Sequence, residues 1–277
     1  MADLDENLAV WKDWDWSQAG EEWSSTWGGT PALWHGTLLP RLHPFIPAET
    51  ILEIGPGHGR WTRYLKDACK RLVIVDMTES CIDACRERFS DASQIEFHVN
   101  DGRSLDMVAD RSIDLAFSFD SLVHAEADVL GDYLAQLAAK LRPDGVGFLH
   151  HSNAGAYRTL GAISRRAPNR ARRRLIDLGV LLDVDAWRAP SVTAERFVSA
   201  CEAAGLACVT QEKITWEHGP WMIDALSVFT PRGSRWERPR VVVGNRRFRD
   251  QALRFARLYA SGSPARPAAA ADRAVAS

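Results

Sequence analysis

The sequence predicts a doubly wound α/β fold: a Rossmann-like sheet of seven strands, mostly parallel, with an antiparallel last strand. Three observations predict it. Short apolar runs alternate with helical patterns between about Thr50 and His151. The first run opens into a glycine-rich turn, Glu53-Ile54-Gly55-Pro56-Gly57-His58-Gly59-Arg60. The second, Leu72-Val73-Ile74-Val75, ends in a lone acid, Asp76. A strand, a glycine turn, a helix and a strand closed by a carboxylate is how such sheets hold an adenosine-containing cofactor.

Taken in order, residues 50–55 read as the first strand, 58–69 as a helix and 72–76 as the second strand. A helix over 79–89 leads to the third strand at 95–99, and 113–119 is the fourth. Leu130, Tyr133, Leu134, Leu137 and Leu141 recur at helical spacing, which predicts an amphipathic helix over 126–141. Arg142-Pro143-Asp144-Gly145 supplies turn chemistry to end it, and 146–151 is the fifth strand. The pattern then breaks. Residues 153–190 hold seven arginines between Arg158 and Arg174 and no strand signal, so they are expected to form a helical lid inserted at the active-site edge. A helix over 193–204 follows. Two runs, 207–216 and 224–230, are joined by a segment too short for a crossover helix and must pair antiparallel. After Pro231 the chain is basic, then helical from about Asn245 to Tyr259. The expected organisation is an N-terminal Trp-rich cap over 1–45, a catalytic domain over 46–232, a helical extension over 233–262 and a disordered tail over 263–277.

Composition sets the outer limits. Hydrophobic residues make up 46% and charged residues 25% of 277, ordinary values for a globular chain. The net charge of −2 gives no general pull toward nucleic acid. No apolar stretch reaches the roughly 18 residues of a membrane span. The acidic start and five cysteines without a CxxC pair predict a cytoplasmic protein with reduced thiols and no membrane partner. Homodimerisation is left open. Tryptophan is the outlier, at 11, with Trp11, Trp14, Trp16, Trp23, Trp27 and Trp34 in the first 34 residues. They read as a hydrophobic cap, or as aromatic faces for a sulfonium or a sugar ring, with Trp27 a candidate for the cofactor pocket.

The glycine spacing narrows the cofactor. Gly55, Gly57 and Gly59 form G-x-G-x-G, and Arg60 stands where a dinucleotide fingerprint has its third glycine. Glu53 would repel a pyrophosphate but suits the cationic end of an amino-acid cofactor, which favours S-adenosylmethionine. Asp76, with Met77 beside it, is placed to accept from the ribose hydroxyls. Asp101 and Gly102, in the turn after the third strand, are placed toward the adenine, and Phe119 closes the fourth strand.

Five segments in order, ILEIGPGHG, VIVD, NDG, IDLAFSFDSLVH and LRPDGVGFLHH, resemble the class I S-adenosylmethionine-dependent methyltransferases from about Ile51 to Asn153. GEEWSSTWGG, FSFDSLVHAEADVL and HHSN are more loosely similar to bacterial sugar O-methyltransferases, most to actinobacterial ones that methylate mannose units of methylated polysaccharides. The resemblance implies a carbohydrate acceptor, a mannoside or short methylated manno-oligosaccharide. The alternatives are a small natural product and, behind it, a nucleic acid.

A sugar hydroxyl must lose its proton as the new bond forms, so a positioned base is needed. Asp120 and His124 follow the fourth strand, His150 and His151 end the fifth, and Glu217 lies in the strand connection. Alternation puts His150 and His151 on opposite faces, and His151, nearer the strand end, is the expected base. The resemblance also implies a role for His124, at a place where many methyltransferases carry histidine. Asp120, His151 and Glu217 would together offer oxygen and nitrogen ligands compatible with Mg²⁺.

Overall fold

The computed structural model describes residues 4–183, 187–215 and 220–259. Among these described residues, eight strands form one sheet: β1 (Ala48–Ile54), β2 (Cys69–Asp76), β3 (Ile95–Val99), β4 (Ile113–Ser118), β5 (Leu141–Ser152), β6 (Leu206–Ile214), β7 (Asp224–Pro231) and β8 (Val241–Asn245). Their order is β3-β2-β1-β4-β5-β7-β6-β8. β1 to β5 pair in parallel, and β7 runs antiparallel between β5 and β6.

Alternation along each strand divides the core between two layers. In β2, Leu72 and Ile74 face a cluster with Trp27, Trp34, Leu38, Trp61 and Phe248. Val73 and Val75 face the opposite cluster, with Leu130, Leu134, Leu137 and Phe197. Both faces are thus covered, which is why the central strands read as near-continuous apolar runs. The first layer is built by the N-terminal residues and the helix Phe248–Tyr259, the second by the helices Ala127–Lys140 and Ala194–Ala203.

The architecture departs from the sequence reading at three places. The sheet has eight strands, not seven: Val241-Val242-Val243 adds a parallel edge strand to β6. These valines are about half exposed, so the run lacks the one-sided burial that marks a strand in sequence. The helix expected over 58–69 shrinks to one turn, Thr62–Leu65, followed by a 3-10 turn. The segment expected to end the long helix as a turn, Arg142 to Gly145, instead opens β5, and the β4–β5 register shifts at Ile113/Leu115. The insertion carries two basic helices, Arg158–Arg166 and Asn169–Asp177. The tail beyond Tyr259 lies outside the described residues. No helix among the described residues is long and apolar enough to cross a membrane.

Candidate functional site

A cavity of about 200 Å³ opens at the carboxyl ends of β1, β2 and β4, where ligands sit in such sheets. Its floor is the glycine turn. Gly55, Gly57 and Gly59 all have positive φ, at 72°, 55° and 80°. A Cβ on Gly55 would stand 1.9 Å from Ser121 Oγ, and one on Gly59 2.4 Å from the Phe89 ring. Only glycine fits at either position. Gly55 and Gly57 line the cavity; Gly59 packs beneath the loop.

Asp76 reaches the cavity from the end of β2. Its Oδ2 accepts from Gly57 N at 3.2 Å and its Oδ1 from Thr78 N at 2.9 Å, which fixes the carboxylate against the loop. Burial raises its pKa despite those bonds. Met77 lies beside it on the wall. Gly102, with φ of 80°, also lines the cavity, and a Cβ there would stand 2.7 Å from the Leu4 side chain. Asp101 does not line it. Its carboxylate accepts from Arg103 N and Ser104 N and shapes the turn instead. Glu53 lies beneath the floor, 1% exposed. Its Oε2 accepts from Thr62 Oγ1 at 2.6 Å, while Oε1 makes no hydrogen bond. Burial pushes this carboxyl up to about 8, so it is neutral at pH 7.

The roof comes from the N-terminus. The helix Leu4–Asp13 buries none of its own residues, yet Leu4, Asn7 and Trp11 line the cavity. Trp11, Trp14, Trp16 and Trp23 pack on one another with ring centroids 5.4–6.2 Å apart. Trp16 also stacks on His58 at 4.4 Å. Trp27 takes no part in this roof. It is 1% exposed and meets Phe248 edge-on in the core.

The far wall carries Phe119, Asp120 and His124. His124 Nδ1 donates to the Trp187 carbonyl, which leaves Nε2 as an acceptor. Burial, with Arg188 nearby, lowers its pKa to about 4, so the ring is neutral. Asp120 has φ of 65°, a region that residues with a Cβ seldom adopt. Its Oδ2 accepts from Arg60 Nη2 at 2.8 Å, and its N–H donates to His150 Nδ1 at 3.1 Å. His150 therefore carries its proton on Nε2, 3.3 Å from Asp224 Oδ2. Arg188 grips Asp224 through two bonds of 2.8 and 3.0 Å. Burial alone would raise the Asp224 pKa, but Arg188 and His150 hold it down at about 2.

His151 is placed elsewhere. It lies flat on Phe197 at 4.0 Å, on the face covered by the helix Ala194–Ala203. Nδ1 donates to the Ser152 carbonyl and Nε2 accepts from Ser227 Oγ, so both ring nitrogens are engaged. The expected alternation is present, but the face that opens toward Asp120 belongs to His150. Glu217 lies outside the described residues. The proposed Mg²⁺ set does not converge: Asp120 is paired with Arg60, and His151 is on the other side of the sheet. Among the described residues no group of three His, Cys, Asp or Glu is arranged to hold a metal ion. Arg60, Arg188 and Asp224 were not singled out from sequence. Arg60 registered only as a missing glycine, and the other two join the site from more than 60 residues away.

The "Methyltransferase domain" family profile matches residues 51–145. The ribosomal RNA small subunit methyltransferase A of Geobacter metallireducens is 34% identical over 61 residues, 22% of each chain. The chain thus spans about a quarter or less of the length of the curated relatives it matches. The PH0226 protein of Pyrococcus horikoshii OT3 shares the fold with a TM-score of 0.51 and 22% identity, over 71% of this chain and 88% of that one. The CcbJ methyltransferase of Streptomyces caelestis does so with a TM-score of 0.51 and 17% identity, over 79% and 99%. The glycine cradle and the Asp76 carboxylate at the carboxyl ends of β1 and β2 fit an adenosine cofactor, and residues 51–145 match the methyltransferase domain family.

Proposed function

We propose that this chain is an S-adenosylmethionine-dependent O-methyltransferase whose acceptor is a carbohydrate hydroxyl, a mannoside or short manno-oligosaccharide. One observation carries the reading. A single cavity joins the glycine turn and Asp76 to a neutral histidine, His124, beside the aromatic surfaces of Trp11, Trp23 and Trp61. Aromatic faces suit the apolar side of a sugar ring.

S-adenosylmethionine, when bound, supplies the methyl group from its sulfonium. The chain's residues do the rest. Asp76 accepts from the ribose hydroxyls, and Gly55 and Gly57 let the backbone come close. His124 Nε2 takes the acceptor's hydroxyl proton as the new O–C bond forms, a contribution of roughly 10²–10⁴-fold. The N-terminal tryptophans exclude water and align the acceptor, which supplies much of the remaining rate. The arrangement assigns no step to a divalent ion.

A small natural product with a ring hydroxyl would use the same groups. A nucleic-acid acceptor is favoured by a different observation, the exposed arginines of the helices Arg158–Arg166 and Asn169–Asp177, and by the partial similarity to a ribosomal RNA methyltransferase. Incubation with methyl-labelled cofactor and a panel of mannosides, glucosides and RNA separates the readings. Label in a mannoside supports the proposal. Label in RNA alone, with affinity falling steeply as salt rises, overturns it.

A further inference from the structure

The two basic helices, Arg158–Arg166 and Asn169–Asp177, line no part of the cavity. Residues 158–183 set seven arginines against Asp177 and Asp183, a net charge of +5. The whole chain carries −2, so the other residues together hold −7. Positive charge is concentrated in one segment of an otherwise acidic molecule, the kind of asymmetry that orients a protein on a charged partner.

The fold does not consume this charge. Arg158, Arg165, Arg166, Arg173 and Arg174 are exposed, and among the described residues none of the five forms an ion pair. Arg71 and Arg103, by contrast, meet Glu96 at 2.6 Å and Asp128 and Asp132 at 2.5 Å.

Large apolar side chains share the same surface. Ile163, Leu178 and Val180 are 53%, 68% and 53% exposed. Ile163 lies one helical turn from Thr159 and Arg166, both exposed, while Gly161 and Ser164 form the buried side. The second helix ends at Gly179, with φ of 68°; Gly179 N donates to the Ile176 carbonyl and Val180 N to the Leu175 carbonyl. That termination leaves Leu178 and Val180 outside, and Leu181 and Leu182 turn inward. Leu182 N donates to the buried Ser164 Oγ at 3.0 Å, fastening the end of the second helix to the first. Ile163 and Val180 flank that bond, one and two residues from it, so the exposed aliphatics emerge together among the arginines.

The combination selects the partner. A second copy is disfavoured, because two faces of +5 repel. A nucleic acid would engage the arginines, but residues 158–183 contain no aromatic side chain for base stacking, and the aliphatics would stay in water. An anionic bilayer satisfies both: guanidinium groups pair with lipid phosphates, and apolar side chains enter the headgroup boundary. The expectation of no membrane partner rested on the lack of a spanning stretch, which a surface contact does not need.

We propose that residues 158–180 form a docking face for an anionic phospholipid surface, with Arg165, Arg166, Arg173 and Arg174 on the lipid phosphates and Ile163, Leu178 and Val180 in the headgroup layer. The proposal stands apart from the identity of the acceptor.

Flotation of the full chain with unilamellar vesicles tests it. The chain should float with phosphatidylcholine vesicles containing about 30% phosphatidylglycerol, stay behind with phosphatidylcholine alone, and be released as salt rises toward about 0.5 M. Arg173→Gln with Arg174→Gln should weaken partition by about 30-fold, since each basic residue near such a surface contributes about fivefold. Arg165→Gln with Arg166→Gln, on the other helix, should do the same, so the result does not depend on one helix staying folded. Leu178→Ser should weaken it by about tenfold. Urea unfolding of all three variants should match the native chain, because the changed side chains are exposed. Equal partition of the native chain into both kinds of vesicle, or into neither, overturns the proposal. So does unchanged partition in the Leu178 variant, or a single-stranded RNA oligonucleotide held through these arginines while the vesicles are not.

Discussion

Glu53 gives the most quantitative test of the site's electrostatics. The perturbation is Glu53→Gln, which keeps the shape and an oxygen to accept from Thr62 Oγ1 but removes the titration. In the folded chain burial, reinforced by Asp76, raises the carboxyl from its ordinary 4.5 to about 8 against the pull of Thr62 and Arg60. Between those values the folded chain holds one proton more than the unfolded chain. Stability is therefore fully present below about pH 4.5 and declines as pH rises through the window, by up to about 1.4 kcal/mol per pH unit. The slope slackens near the folded pKa, so the loss from about pH 6 to about pH 8 is roughly 2 kcal/mol. The assay is urea unfolding of both chains across this range without cofactor, since a ligand would add its own linkage. Other titrating groups cancel in the difference. The Gln variant should gain roughly 2 kcal/mol relative to the native chain over that interval. Parallel stability curves would refute the claim that Glu53 is buried and neutral.

The other expectations concern single side chains. Asp76→Ala should weaken S-adenosylhomocysteine by about 10- to 100-fold in calorimetry, because it removes the acceptor at the end of β2; an unchanged Kd would displace Asp76 from the ribose. His151→Ala should cost about 2–4 kcal/mol in urea unfolding, from a lost buried ring and two hydrogen bonds. Turnover per folded molecule should stay within about twofold, whereas a drop of the size expected for a base would return His151 to catalysis. His124→Ala should lower kcat by roughly 10²–10⁴-fold while sparing cofactor affinity. Since burial and Arg188 hold His124 near 4, native kcat should rise with pH through about 4 and be level above it; an onset near the free-imidazole value would remove His124 as base. A chelator should leave turnover unchanged, and loss of activity restored by Mg²⁺ would reinstate a metal.

The central sheet was legible because its signals are local. β1, β2 and β4 bury most of their side chains, so they read as apolar runs, and the glycine turn and Asp76 sit at fixed offsets from them. β8 was not legible. Its valines are exposed, and what makes them a strand is pairing with β6, some 30 residues earlier in the chain. The shortened first helix has a similar cause. The positive φ values at Gly57 and Gly59 carry the loop four residues further before the chain turns helical at Thr62, and composition alone does not report a torsion.

The two halves of the site differ in the same respect. The glycine turn and Asp76 are defined by strand ends, and strand ends are visible as sequence. The opposite wall depends on which of two adjacent histidines faces the cavity, and period-two alternation shows only that they differ. The neighbours decide it. Phe197, from a helix some 45 residues later, covers the His151 face, while Asp224, opening β7, faces His150. Arg188 then arrives from the insertion to neutralise Asp224, and its charge helps keep His124 unprotonated. The position of each titratable group in this wall is thus set by a partner distant in sequence. The chemistry of the acceptor side comes from tertiary packing, and neither the motif order nor the residue count between motifs contains it.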